Sequence, residues 1–148
     1  MNRVSRDFTC APQAVFDVLR DGWLYPTWVV GASRMRGVDP DWPQTSSKLH
    51  HSVGSWPLLI NDTTSSMEHT PPWRLKLRAR AWPTGEAEVL IEITPSAEGC
   101  TVTMSEDAVA GPGRLVPRPI RSALLTPRNR ESLRRLAFIA EGRTTPKS

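Results

Sequence analysis

In several stretches of this chain apolar and polar residues alternate at every second position, the period of half-buried strands. Val4, Arg6, Phe8 and Cys10 alternate with Arg3, Ser5, Asp7 and Thr9, which predicts a strand over residues 3–10. The period then changes. Pro12 opens a short helix with the apolar stripe Val15, Phe16, Val18 and Leu19, and Gly22 closes it. The proline-broken stretch WLYPTWVVGA predicts a second short helix, followed by a strand over residues 31–38. A turn-forming segment, DPDWPQTSS, leads into a strand at residues 48–54. Past a Trp56-Pro57 corner, another strand is expected over residues 59–68, with HTPP as the turn after it.

The clearest pattern is the next pair. In WRLKLRARAW, Trp73, Leu75, Leu77, Ala79 and Ala81 share one face, and Arg74, Lys76, Arg78 and Arg80 share the other. In EAEVLIEI, Ala87, Val89, Ile91 and Ile93 oppose Glu86, Glu88 and Glu92. A glycine-containing turn between two such runs predicts a hairpin. A three-residue loop with Gly85 at positive φ would set Arg80 against Glu88 and Lys76 against Glu92, with Leu77 facing Ile91 and Leu75 facing Ile93. By the same charge matching, Met67 pairs with Leu75, Glu68 with Arg74 and Asp62 with Arg80. That register puts Asn61, Thr63, Ser65 and Met67 on the inner face.

The last strand, CTVTMSEDAV, has Cys100, Val102 and Met104 on alternate positions, and Gly111-Pro112-Gly113 breaks it. A long helix follows Pro117 and Pro119. Ile120, Ala123, Leu124, Leu133, Leu136, Ala137 and Ala140 recur at helical spacing, with Pro127 expected to kink or divide the helix and Gly142 to end it.

The 148 residues suit one domain, with a core at about 3–141 and a flexible tail at 142–148. Net charge is +4, but residues 114–143 hold eight arginines against two acids, so the rest of the chain is slightly acidic. The charges scatter around the last helix and Phe138 is its lone aromatic residue, a poor match to a nucleic-acid track. The two cysteines, Cys10 and Cys100, form no CxxC pair, no histidine stands at metal spacing, and no cofactor is expected. They are expected to be reduced thiols. No apolar run approaches the roughly 18–20 residues that span a bilayer. The N-terminus lacks a secretory apolar core, so a cytoplasmic location without integral membrane association is expected. Oligomeric state is left open.

The order strand, two short helices, six strands and a long helix resembles the START-like superfamily, the helix-grip or polyketide cyclase/dehydrase-like family. The segments APQAVFDVL, YPTWVVGASRMRGVD, LHHSVGSWP, GCTVTMSED and NRESLRRLAFIAE carry the resemblance across about residues 3–141. It implies an α+β helix-grip fold: a curved seven-stranded antiparallel sheet, two short helices and one long C-terminal helix. It also implies a cavity between sheet and helix that takes lipids, sterols, polyketides or plant metabolites. A minority of the family catalyse cyclisation and dehydration, and no catalytic set is common to all.

The candidate ligand-binding residues are Trp23, Trp28, His50, His51, Asn61, Thr63, Ser65, Met67, Leu75, Leu77 and Glu106. Asn61, Thr63 and Ser65 are polar groups expected beside Leu77, Ala79 and Ala81, where a wet or ligand-filled cavity would satisfy them. Glu106 follows Met104 by two, so its carboxylate is expected to point inward and to serve as a proton donor or ligand anchor. His50 and His51 occupy opposite faces of one strand, so one of them points inward. Trp23, Tyr25 and Trp28 fall where short helices would cover a cavity mouth. No nucleophile motif is present. The first reading is a carrier of a small hydrophobic or amphipathic molecule. The alternative is a cyclase or dehydratase using Glu106 with His50 or His51. The third is a protein-interaction module using the basic helix.

Overall fold

The computed structural model describes residues 2–30, 32–53, 60–81 and 85–144. The chain is α+β. Its strands are β1 (Asn2–Phe8), β2 (Ala32–Val38), β3 (Lys48–Val53), β4 (Ile60–Thr70), β5 (Arg74–Ala81), β6 (Gly85–Ser96) and β7 (Gly99–Ala110). They form one seven-stranded antiparallel sheet in the order β1-β7-β6-β5-β4-β3-β2. Helix α1 (Pro12–Leu19), a one-turn 3-10 helix (Gly22–Leu24) and α2 (Tyr25–Trp28) lie between β1 and β2. A second 3-10 turn (Pro112–Leu115) leads into α3 (Arg118–Thr144). This is the helix-grip arrangement.

Helix α3 lies against β1, α1 and α2. Leu133, Leu136, Ala137 and Ala140 are buried at i, i+3, i+4 and i+7, the stripe that faces a core. Polar ties hold both halves in place. Asn2 Nδ2 donates to Thr126 Oγ1 at 2.7 Å, and Thr9 Oγ1 donates to Glu141 Oε2 at 2.6 Å. Pro127 does not divide the helix, which runs unbroken through it to Thr144 and past Gly142. The proline removes one N–H, whose acceptor would be the carbonyl of Ala123. Ala123 and Pro127 are both exposed, so water can serve that carbonyl.

Two registers differ from the sequence expectation. In the β5–β6 hairpin, Arg80 pairs with Glu86, Arg78 with Glu88 and Arg74 with Glu92; Leu77 faces Val89 and Leu75 faces Ile91. The shift is two residues, so every side chain keeps its face. Charge matching cannot separate registers two apart, because bases and acids repeat with the same period. Close approach separates them. A Cβ on Gly85 would lie 2.0 Å from the Ala110 carbonyl oxygen, and its φ is +111°. Glycine therefore starts the paired strand, and the loop, residues 82–84, lies outside the described residues.

In β4 the discrepancy is one residue as far as Ser66 and two residues beyond it. Thr64 pairs with Ala79 and Ser66 with Leu77, then a bulge at Met67 sets Glu68, expected opposite Arg74, beside Lys76 and His69 beside Leu75. Glu68 still bonds Arg74 at 2.9 Å. The bulge reverses parity, so Thr64 and Ser66 face inward and Thr63, Ser65 and Met67 face outward. Loop contacts fix this choice. The Ser66 hydroxyl donates to the Pro43 carbonyl at 2.7 Å, and Ser66 N–H to the Ser47 carbonyl at 2.9 Å.

Candidate functional site

The inner face of the sheet is a set of cross-strand rows. One row reads His69, Leu75, Ile91, Met104, Val4, all but the histidine buried core residues. Together with Phe8, Phe16, Ile93 and Val102 it fills the space under the second half of α3. The next row is Ser66, Leu77, Val89, Glu106, Asn2, and the one beyond it Thr64, Ala79, Ala87, Ala108. Three adjacent alanines cannot reach the helix overhead, so a chamber of about 220 Å³ opens there. Leu77, Val89, Met104 and the alanines form its floor. Tyr25, Trp28 and Val29 form one wall, Leu125, Arg128, Asn129 and Ser132 the roof, and Gly85, Glu86 and Gly113 the rim.

The chamber's polar end is assembled from three elements. Glu106 on β7 is 6% exposed, and its Oε2 accepts from Arg128 Nη1 on α3 at 3.2 Å. Arg128 Nε donates to the Val30 carbonyl at 2.9 Å, and the Val30 N–H donates to Ser132 Oγ at 3.2 Å. The turn after α2 is thus stapled to α3. Asn129 is buried beside them, its Nδ2 donating to Asn2 Oδ1 at 3.4 Å. The ion pair has no net charge, so this end of the chamber is polar but neutral.

A second polar group stands behind the wall. The buried Thr64 hydroxyl lies 3.2 Å from Tyr25 Oη and 2.7 Å from His51 Nε2. The His51 ring stacks on Tyr25 at 5.5 Å between centroids, and Tyr25 meets Trp28 edge-on at 5.6 Å. Burial pushes the Tyr25 phenol above its ordinary range, the Thr64 hydrogen bond opposing it.

Of the residues singled out from sequence, Trp28, Leu77 and Glu106 come together around the chamber. His51 is the inward histidine, one layer back, behind Tyr25. His50 points to the other face and bonds Asp39 Oδ1 at 2.9 Å, which holds that carboxylate below its usual range. Leu75 is inward but belongs to the filled core. Trp23 is largely exposed and does not line the chamber. Thr63, Ser65 and Met67 are on the outer face for the reason given above, and the side chain of Asn61 lies outside the described residues.

Sequence reasoning missed Thr64, Arg128, Asn129 and Ser132. Arg128 sits in an arginine-rich run that reads as a solvated face. Its signal was the spacing from Arg128 to Leu136, two helical turns that place it on the flank of the buried stripe.

No curated protein matches the sequence. Solved structures do match in fold. A protein of Nitrosomonas europaea is 16% identical, covers 96% of this chain and 94% of its own, and superposes with a TM-score of 0.73. StfQ, the di-domain ARO/CYC of the steffimycin biosynthetic pathway, gives 0.75 at 13% identity, with 95% of this chain covered and 50% of that one. DynU16, from the dynemicin biosynthetic locus, gives 0.65 at 20% identity, covering 95% and 47%. At such identities the likeness is one of fold. The family model described as polyketide cyclase / dehydrase and lipid transport matches residues 3–141, and the chain belongs to that family.

Proposed function

We propose that this chain binds a compact, mostly apolar small molecule in the chamber between sheet and α3, without catalysing a reaction on it. The supporting observation is the chamber itself: an alanine floor, an aromatic wall and one neutral polar end. Its size sets the ligand class. A cavity of about 150 Å³ holds one benzene ring, so about 220 Å³ suits a fused two-ring body. Sites for drug-sized ligands run to about 300–1,000 Å³. A long acyl chain would have to project through the rim. A ligand hydroxyl can accept from a remaining Arg128 N–H and donate to Glu106, so a neutral polar group suits this end better than a carboxylate.

Three features favour binding over catalysis. Glu106 is engaged by Arg128, His50 is on the outer face with Asp39, and His51 is screened from the chamber by Tyr25. The interaction-module reading would need a filled core, and the chamber counts against it. A cyclase or dehydratase reading retains one supporting observation, the buried carboxylate facing the chamber. Glu106→Gln separates the two. A carrier keeps most of its affinity, whereas an acid–base enzyme loses about 10²–10⁴-fold in turnover and still binds.

The test is a thermal-shift and calorimetric screen of 2-naphthol, 2-naphthoate, naphthalene-like apolar probes and palmitate. A two-ring ligand at about a hundred times its Kd adds roughly 2.7 kcal/mol. Ala87→Leu, which fills the floor, should abolish the shift. If no two-ring probe stabilises the parent protein and native mass spectrometry finds no co-purified molecule, the reading is wrong.

A further inference from the structure

The segment from Gly111 to Arg130 carries five arginines and no acid. Arg121 and Arg128 are engaged, with Asp107 at 3.0 Å and Glu106 at 3.2 Å. Arg114, Arg118 and Arg130 are exposed and form no ion pair among the described residues. Between them stand large apolar side chains in water: Leu115 is 85% exposed, Leu124 68% and Ile120 53%. Exposed apolar residues are ordinary when scattered singly. These three stand on one short stretch of turn and helix, interleaved with arginines that form no ion pair among the described residues.

The position is specific too. Gly113 and Leu125 line the ligand chamber, so the patch begins where the chamber's rim does. We propose that this surface docks onto an anionic lipid bilayer, with Leu115, Ile120 and Leu124 entering the headgroup boundary and Arg114, Arg118 and Arg130 meeting lipid phosphates. An exposed apolar ridge flanked by arginines binds membranes through buried area plus attraction to anionic lipid.

A fluid interface fits the shape better than a protein does. The apolar tips project from a convex helix and turn. The recess beside them, between β7 and the start of α3, holds about 50 Å³, too little to seat a row of peptide side chains. Docking would set the chamber's rim against the bilayer, where an apolar ligand can pass without crossing water. The docking surface does not depend on any ligand being bound.

The experiment is co-sedimentation of the whole chain with phosphatidylcholine vesicles, and with vesicles containing about one third phosphatidylglycerol, at low salt and at about 0.5 M salt. The expected result is binding to the anionic vesicles alone, weakened by salt. Each basic residue near an anionic surface is worth about fivefold, so Arg114→Gln with Arg118→Gln should lower partitioning about 25-fold. Leu115→Gln with Leu124→Gln should lower it comparably. Met67→Gln, at an exposed apolar site on the outer face of the sheet, should change nothing. All these sites are exposed, so unchanged denaturation midpoints will show that the variants are folded. No vesicle binding, equal binding to neutral and anionic vesicles, or patch variants that bind like the parent would each overturn the proposal. Capture by poly-glutamate without vesicle binding would overturn it in favour of an acidic protein.

Discussion

Replacing Arg128 by Met strands the Glu106 carboxylate in the chamber. The side chain of Glu106 is 7% exposed and that of Arg128 is 40% exposed. Removing one partner of a fully buried ion pair costs about 3–5 kcal/mol. Arg128 is more than one third in water, so part of its interaction is screened. The variant also takes the donor from the Val30 carbonyl, which bonds Arg128 Nε at 2.9 Å. Methionine keeps most of the stem's packing, so the net loss should be about 2–3 kcal/mol, mainly charge and hydrogen bonding. For a chain of this size that lowers Tm by about 4–12 °C. Urea denaturation of a double-mutant cycle measures it. Arg128→Met should cost clearly less in a Glu106→Gln background, where no charge is left stranded. Equal costs in both backgrounds, or a loss under about 0.5 kcal/mol in the parent, would mean the pair does not organise the chamber's polar end.

Thr64→Val should destabilise by about 1–3 kcal/mol, because it removes the hydrogen bonds of the Thr64 hydroxyl with the buried Tyr25 hydroxyl and His51 Nε2, and Thr64→Ser should recover most of that; equilibrium denaturation tests both. Pro127→Ala should stabilise by about 1–3 kcal/mol, since it restores a helical N–H at an exposed position of α3, and a lower denaturation midpoint would contradict this account. Cys100 is buried, and burial followed by the neighbouring Cys10 pushes its thiol up to about 11. Iodoacetamide should therefore label native Cys100 at pH 8 far more slowly than the unfolded chain. The unfolded thiol ionises first as pH rises, so Cys100 should withdraw stability between about pH 9 and pH 11, a slope that Cys100→Ala should flatten.

Strict alternation in residues 73–82 and 86–93 determined which side chains of β5 and β6 face inward, and a two-residue error in register left that intact. It likewise placed Leu77 and Glu106 on the inner face. Apolar spacing at Leu133, Leu136, Ala137 and Ala140 identified the gripping half of α3. These are local patterns whose period equals that of the backbone, so the chain carries them without reference to its neighbours. The bulge at Met67 was not legible, because it depends on Ser66 meeting Pro43 and Ser47 from another loop. One inserted residue was enough to exchange Thr63 and Ser65 for Thr64 and Ser66. The chamber was hidden for a similar reason: Ala79, Ala87 and Ala108 are unremarkable in their own strands and become a floor only when pairing aligns them under Arg128 and Ser132. A void is a property of side chains that fail to meet across strands distant in sequence, and only the tertiary structure decides where that happens.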